Sequence, residues 1–224
     1  MDNPRIENSE FIDVVRVKRI EQLTKLYEFL LIHQKLRDND NEEELEKLQR
    51  KVFGIPDEVP VDRVRKYHTV IIDSLTEVEA QNLATALKLD AVGIESAGEV
   101  EKAGWDEFRL NNHTIQRMVR AFRDLEMHVF LICAQRYDQD EMKRYHYSPA
   151  LTGKLTTQVQ GFVDVVGWLI VGLNAENKPE RRLAVQPHTG PKADAKSRFA
   201  KYTEPYFIDP KMKDLMLGFG LLEE

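Results

Sequence analysis

The spacing of apolar and polar residues along the chain follows a helical period in several segments. Apolar side chains that recur at this period line one side of a helix, so each segment predicts an amphipathic helix. The predicted helices are 19–35, 39–51, 77–89, 105–125 and 210–217. The second of these is so highly charged that we expect a solvated helix.

Other segments contain continuous apolar runs of strand length, which predict strands covered on both faces. The predicted strands are 69–73, 128–134, 162–173 and 182–185. The last two lie on either side of a turn at 174–179, which indicates a hairpin. The run 11–17 is rich in β-branched residues and is typical of a further short strand.

Strands that alternate with helices predict an α/β fold with an open, mostly parallel sheet flanked by helices. We expect the hairpin to form an antiparallel C-terminal edge. One domain is expected over 1–224, because the chain is long enough for one sizeable core. Within it, 136–160 has few core signals and predicts a mobile loop, and 90–104 contains three glycines and also predicts a loop.

Cysteine use and hydropathy indicate an intracellular protein without a membrane partner. The only cysteine, Cys133, lies in an apolar run, where a small buried side chain is expected, and a disulfide within the chain is impossible. The N-terminus lacks the apolar region of a signal peptide, and no segment approaches the roughly 20 apolar residues that span a bilayer. We therefore expect a cytoplasmic location.

The charge is distributed unevenly. The formal net charge is −6, but residues 143–201 contain ten Lys or Arg against four Asp or Glu. Within this basic block, cations alternate with aromatic residues, a composition typical of surfaces that bind single strands by stacking and phosphate contact. The candidate DNA-binding residues are Lys143, Arg144, Tyr145, Tyr147 and Lys154. A disordered segment is the alternative interpretation.

Polar side chains follow two of the predicted strands directly. Ligands of open α/β sheets bind at the carboxyl ends of the strands, so these side chains are candidates for a shared site. Asp73, followed by Ser74, suits a Mg²⁺ site in which the ion bridges phosphate oxygens. Gln135 could orient a water or sense a phosphate. The alternatives are that Asp73 caps the next helix and that Gln135 simply opens a loop.

A pair of cations follows near the C-terminus. Lys196 and Arg198 are two residues apart, so an extended segment would point both side chains the same way. Such a pair could reach the phosphates of a neighbouring subunit and stabilise charge in a transition state. A solvated basic surface is the alternative.

The sequence contains no phosphate-binding loop of the form G-x-x-x-x-G-K-[ST]. The nearest text is 148–155, SPALTGKL, which lacks the first glycine and does not follow a predicted strand. It also has Leu155 where a hydroxyl is required.

Three segments resemble motifs of the RecA-like ATPases. Residues 69–78, TVIIDSLTEV, resemble the Walker B strand, and 128–135, HVFLICAQ, resemble the next strand with its sensor glutamine. Residues 195–200, AKSRFA, are similar to the Lys-x-Arg-Phe motif of the RadA and replicative-helicase branch. The order of motifs over 11–200 is most similar to phage RecA-like ATPases of single-strand annealing and recombination.

This resemblance implies a RecA-like fold that binds ATP and Mg²⁺, acts on single-stranded DNA and assembles into a ring or filament. It implies cofactor contacts by Asp73, Ser74 and Gln135, with Asp73 as the metal ligand. Catalytic roles are implied for Asp73, Gln135, Lys196 and Arg198. The implied function is nucleotide-dependent DNA binding in recombination, annealing or replication, in the cytoplasm of a phage-infected bacterium.

The missing phosphate loop keeps a second function open. The family's loop precedes the Walker B strand, and none precedes Asp73 here. The expectation is therefore a fragment, one half of a split gene, or a degenerate relative. The alternative function is a non-hydrolysing DNA-binding or structural assembly protein that retains the fold.

Overall fold

The computed structural model describes residues 13–58, 64–88, 104–139, 143, 145–186, 192–199 and 206–221. The helices are α1 (Ile20–Asp38), α2 (Glu42–Phe53), α3 (Leu75–Ala86), α4 (Trp105–Arg123), α5 (Leu155–Phe162) and α6 (Met212–Gly218). The strands are β1 (Thr69–Asp73), β2 (His128–Ile132), β3 (Gln135–Gln139), β4 (Tyr145–Pro149), β5 (Val165–Val166), β6 (Trp168–Leu173), β7 (Pro179–Ala184), β8 (Lys192–Ala193), β9 (Lys196–Ser197) and β10 (Tyr206–Ile208). The loop predicted over 90–104 lies outside the described residues except for Gly104.

Strands β1 and β2 form a two-stranded parallel pair, with Thr69 opposite His128 and Asp73 opposite Ile132. The fold is therefore mixed α/β as predicted, but the described residues do not show the extended, mostly parallel sheet that was expected, since β1 and β2 form a sheet of only two strands. Their remaining strands form small sheets in which most pairs are antiparallel. The physical reason lies just after β2, where the chain enters β3 after two residues, whereas a further parallel neighbour requires a long crossover.

The predicted C-terminal hairpin is confirmed by β6 and β7. Their antiparallel register runs from Trp168 opposite Ala184 to Leu173 opposite Pro179. The turn between them is stabilised by the Asn174 side chain, whose Oδ1 accepts from the backbone N–H groups of Glu176 and Lys178, both at 2.9 Å.

One face of β6 is apolar and exposed. The side chains of Leu169, Val171 and Leu173 are each more than half exposed. Strand β10 pairs with the far side of β7, so β6 is an edge strand of this three-stranded sheet as described.

Most of the described residues within 136–160, predicted to be a loop, belong to β3, β4 and α5. Strands β3 and β4 pair in register, with Tyr137 opposite Tyr147. Leu151 and Leu155 follow and are fully buried. The sequence did not reveal this because the hairpin pairs aromatic side chains across its strands instead of alternating aliphatic residues with polar ones. Mobility of this segment stays a prediction.

The N-terminal run also differs from the expected strand. Residues 13–18 have no regular secondary structure, and 11–12 lie outside the described residues. Polar contacts explain this, because the Asp13 carboxylate pairs with Arg65 at 3.0 Å and accepts from the Tyr67 hydroxyl. Side-chain contacts thus hold this segment against the chain that leads into β1.

Helix α4 contributes to both apolar clusters of the core. Phe122 packs with residues of α1 and β1, among them Leu30 and Ile72. Ile115 and Val119 pack with the start of α3 and with α5. Helix α2, predicted to be solvated, buries Leu45 completely. None of the described helices is long and apolar enough to cross a bilayer.

The packing of α4 gives a stability prediction. Ile115 is fully buried and Leu110, on the same helix, is 59% exposed. We expect Ile115→Ala to lower the free energy of unfolding by about 2–5 kcal/mol through lost burial and the cavity left behind. Leu110→Ala, which removes the same number of atoms, should change it by no more than about 0.5 kcal/mol. Urea denaturation followed by circular dichroism measures both, and equal effects would contradict the assignment of this face to the core.

Candidate functional site

The carboxyl ends of β1 and β2 form one edge, and Asp73 is the last residue of β1. Its side chain is exposed, and no described residue is hydrogen-bonded to its carboxylate. The peptide bond between Asp73 and Ser74 is cis. The free carboxylate of Asp73 therefore lies at the end of β1, directly after Ile72, which is buried in the core.

Ser74 lies directly before α3 and caps it. Its Oγ accepts from the backbone N–H of Glu77 at 3.2 Å, which satisfies one donor of the first helical turn. The alternative in which Asp73 caps the helix is therefore wrong, because the capping oxygen belongs to the next residue. The carboxylate of Asp73 stays available beside the positive end of the α3 dipole.

Gln135 begins β3, three residues beyond the end of β2, and its side chain is exposed. The junction is fixed to α3, because the backbone N–H of Ala134 donates to Thr76 Oγ1 at 3.0 Å. Asp73 and Gln135 therefore lie at the same edge of the β1–β2 pair. Gln135 Oε1 accepts from the indole N–H of Trp168 at 2.7 Å, so its amide is oriented by a residue of β6.

A buried carboxylate that sequence reasoning missed lies beneath this edge. Glu79 on α3 is only 4% exposed. Its carboxylate accepts from the backbone N–H of Thr152 at 3.1 Å, from the Thr152 hydroxyl, and from Asn111 Nδ2 at 3.3 Å. Asn111 Oδ1 in turn accepts from Asn82 at 2.7 Å. The sequence does contain a signal for this carboxylate. Glu79 and Asn82 follow the buried Leu75 at helical spacing, which puts polar residues on the inner face of α3.

A cavity of about 310 Å³ opens beside Glu79. Thr76, Thr152 and Arg136 line it together with Glu79, and the other lining residues are apolar. Arg136 is held by its Nη1, which donates to the backbone carbonyl of Leu151 at 3.1 Å. The cavity adjoins the edge that carries Asp73 and Gln135, because Thr76 is also the partner of Ala134.

The two C-terminal cations lie together, as their spacing predicts. Lys196 on β9 pairs with Val166 of β5, and Arg198 follows β9. Burial, and then the nearby positive charge of Arg198, hold the pKa of Lys196 below its ordinary value. The guanidinium of Arg198 pairs with Asp164 at 3.0 Å and donates to the carbonyl of Gly161 at 2.8 Å. In the described part of the chain, these contacts are with the end of α5 and the residue just before β5 rather than with Asp73 or Gln135.

The candidate DNA-binding residues are distributed over the β3–β4 hairpin and the start of α5. Tyr145 and Tyr147 belong to β4, and Lys143 and Lys154 are exposed. Arg144 lies outside the described residues. The structure therefore brings the two tyrosines together on one strand, with exposed cations before and after it.

Asp73 is the candidate magnesium ligand at this edge. Among the described residues, no group of three His, Cys, Asp or Glu side chains could hold a metal ion. Mg²⁺ generally keeps several waters and is bound through one or two carboxylates together with substrate phosphates. A single exposed carboxylate at the strand end fits this requirement, whereas Ser74 already uses its hydroxyl as a helix cap.

Comparison with known proteins gives one match. A family model described as AAA domain matches residues 5–199, which include β1, β2 and the segment that contains Lys196 and Arg198. No curated protein and no solved structure matches the chain.

Cys133 provides a chemical test of how closely this edge is packed. Burial, followed by the nearby charge of Glu79, raises the pKa of the thiol to about 11. A thiol with this pKa is protonated at neutral pH, so we expect alkylation by iodoacetamide at pH 8 to be roughly a hundredfold slower than for an ordinary cysteine. The rate should rise steadily as the pH approaches 11.

The same chain unfolded in urea is the control, because its thiol is then solvated. Mass spectrometry of the alkylated fraction measures both rates. Equal rates for the folded and unfolded chain at pH 8 would contradict the buried environment of Cys133.

Proposed function

Because the chain belongs to the AAA domain family of nucleotide-binding, ATPase-like proteins, we propose that it binds ATP with Mg²⁺ at the carboxyl ends of β1 and β2 and uses the nucleotide to control binding to DNA. The observation that carries this proposal is the free carboxylate of Asp73 at the edge it shares with Gln135. We further propose that the protein acts in recombination, annealing or replication of phage DNA, which is the role that its motif order implies.

Each side chain at this edge has a chemical task in the proposal. Asp73 would hold Mg²⁺, directly or through a water, and the bound ion would neutralise phosphate charge. The N-terminus of α3 contributes partial positive charge beside it. Ser74 supports this arrangement by capping the helix, so its contribution is to the position of Asp73.

Gln135 is oriented for donation. An indole N–H can only donate, so the oxygen of the Gln135 amide faces Trp168 and the amide nitrogen points away from that bond. The Nε2 hydrogens are then available to a phosphate oxygen or a water. This supports the proposed role of Gln135 as a phosphate contact.

Hydrolysis, in contrast to binding, requires a further element at the phosphates. A phosphate-binding loop provides backbone N–H groups and a lysine, and residues 1–224 contain no loop of that pattern. We propose hydrolysis only for an assembly in which another segment or chain provides these groups. Asp73 and Gln135 would then complete such a site, with the carboxylate holding the metal ion and the amide contacting a phosphate.

A role for Lys196 and Arg198 in trans is part of the proposal. The Arg198–Asp164 pair is more than half exposed at both partners, so solvent screening leaves it weak and exchangeable. In a ring or filament, Arg198 could leave Asp164 for the phosphates of a neighbouring subunit. Arginine supplied across an interface stabilises the charge of phosphoryl transfer.

A second candidate is a non-hydrolysing DNA-binding or assembly protein that retains the fold. The missing phosphate loop and the engagement of Arg198 within its own chain favour it. Binding to single-stranded DNA that does not change when ATP and Mg²⁺ are added would support this candidate over the first.

Substitution of Asp73 tests the metal contact. We expect Asp73→Asn, which keeps the shape but removes the charge, to weaken Mg²⁺-dependent ATP binding by roughly tenfold or more. Asp106→Asn is the matched control, because Asp106 is an exposed acid at the start of α4. Isothermal titration calorimetry with ATP, with and without Mg²⁺, measures the affinities. A wild-type chain without measurable affinity, or equal affinities for the two variants, would contradict the proposal.

Substitution of Arg198 tests the role across an interface. We expect Arg198→Ala to leave ATP affinity within about twofold but to lower ATP turnover of the assembled protein by roughly a hundredfold or more. Lys178→Ala, which removes an exposed cation of the hairpin turn, is the control and should change neither quantity. Analytical ultracentrifugation with ATP and single-stranded DNA should show an oligomer. A strict monomer under these conditions would rule out the role in trans.

A further inference from the structure

Four aromatic side chains form a continuous row across the β3–β4 hairpin and β6. We call this row the aromatic stripe and define it as Tyr145, Tyr137, Tyr147 and Trp168. Ring centroids are 5.8 Å apart between Tyr145 and Tyr137 and 6.4 Å apart between Tyr137 and Tyr147. Tyr147 stacks on Trp168 at 5.0 Å. Tyr137 and Tyr145 are 63% and 48% exposed, whereas Tyr147 and Trp168 are half-buried.

The register of the hairpin explains why the three tyrosines share one face. Residues directly opposite each other in an antiparallel pair project to the same side. Tyr137 is opposite Tyr147, and Tyr145 is opposite Gln139. Gln135 lies on this face as well, where its amide oxygen accepts from Trp168. The face also presents the exposed primary amide of Gln139, which can hydrogen-bond to the edges of bases.

Charge is separated between the two faces of the hairpin. Among the described residues of β3 and β4, the aromatic face contains no carboxylate. The one acid of these strands, Asp138, lies on the opposite face, where it pairs with Arg136 at 3.2 Å. His146 on that face pairs with Asp194 at 3.0 Å. Although the chain has a net charge of −6, a polyanion can approach this face because its strands place no carboxylate there. Exposed Lys143 lies just before β4.

We propose that the aromatic stripe binds single-stranded nucleic acid by stacking unpaired bases on Tyr137, Tyr145 and the Tyr147–Trp168 pair. The proposal rests on the proposed role in DNA handling and extends it to Tyr137 and Trp168. The exposed rings of Tyr137 and Tyr145 offer faces on which unpaired bases can stack, and the half-buried Tyr147–Trp168 pair continues this surface. Paired bases in a duplex are stacked on each other and cannot reach the rings. Binding should therefore favour single strands and depend little on sequence, since every base has a flat face.

Substitution of Tyr137 tests the stripe at its most exposed ring. We expect Tyr137→Ala to weaken binding of a labelled oligodeoxythymidine by roughly 5- to 100-fold, because one stacking contact is lost. Tyr137→Phe keeps the ring and should stay within about threefold of wild type. The matched control is Trp105→Ala, which removes a ring that is 89% exposed at the start of α4 and should have no effect. Fluorescence anisotropy measures the affinities, and circular dichroism checks that the variants are folded.

The choice of oligonucleotide separates base stacking from electrostatic attraction of the phosphates. An abasic strand of equal length carries the same backbone charge without bases, so we expect it to bind much more weakly than oligodeoxythymidine. A duplex should also bind more weakly, and an oligouridine of equal length tells whether the stripe accepts RNA as well as DNA. Equal binding of abasic and base-containing strands, or no effect of Tyr137→Ala, would overturn the proposal. Absence of any binding to single strands would overturn it too and would indicate that the stripe is a contact for another protein.

The tryptophans provide a second readout. The chain contains two, so Trp105→Phe leaves Trp168 as the only source of indole fluorescence. We expect its emission to change as oligodeoxythymidine is added, and unchanged emission at saturation would place the bases elsewhere.

These measurements are made without nucleotide. Tyr137→Ala should lose strand binding and keep its ATP affinity, and Asp73→Asn should lose ATP affinity and keep strand binding. This pair of results would support both proposals independently. Failure of one then leaves the other standing.

Discussion

The parallel pairing of β1 with β2 is the constraint on which the rest of the structure depends. Because the two strands run in the same direction and in register, the residues that follow them emerge at one edge. The bond from Ala134 to Thr76 then fixes the start of β3 against the first turn of α3. A shift of this register would separate Asp73 from Gln135 and would also move the hairpin that begins at Gln135. Burial of Ile72 against α1 and α4 makes such a shift costly, since a one-residue slip exchanges buried and exposed side chains.

The carboxylate of Glu79 joins the hairpin to this edge by polar contacts. It is buried and, among the described residues, accepts only from neutral donors, which are the backbone and hydroxyl of Thr152 and the amide of Asn111. A carboxylate without a cation partner is tolerated in the interior only when several donors satisfy it. Loss of any of these donors would leave the Glu79 carboxylate without a full set of hydrogen bonds. The network therefore fixes the position of Thr152 relative to α3 more strictly than apolar packing alone would. The chain just before α5 is thereby held in place, and with it the end of β4.

The sequence predicted the elements with strong periodicity and missed those held by specific side-chain contacts. Strand β1 and helix α4 follow from their apolar pattern almost residue for residue, and the β6–β7 hairpin follows from two runs around a turn. The β3–β4 hairpin did not, because its cross-strand contacts are between tyrosines, which also suit an exposed binding loop. The edge position of Asp73 and Gln135 was predictable, since parallel strands end together. The indole contact of Gln135 and the network around Glu79 were not, because both join residues that are far apart in sequence.

The exposed apolar face of β6 has a consequence for the behaviour of the protein in solution. Leu169, Val171 and Leu173 lie on an edge strand of their described sheet, where unpaired backbone groups can pair with another chain. Electrostatic repulsion from the net charge of −6 opposes such contacts near neutral pH. That repulsion disappears near the isoelectric point of about 5.6. Mildly acidic buffers are therefore the conditions in which this protein is least soluble and in which crystallisation and precipitation compete most directly.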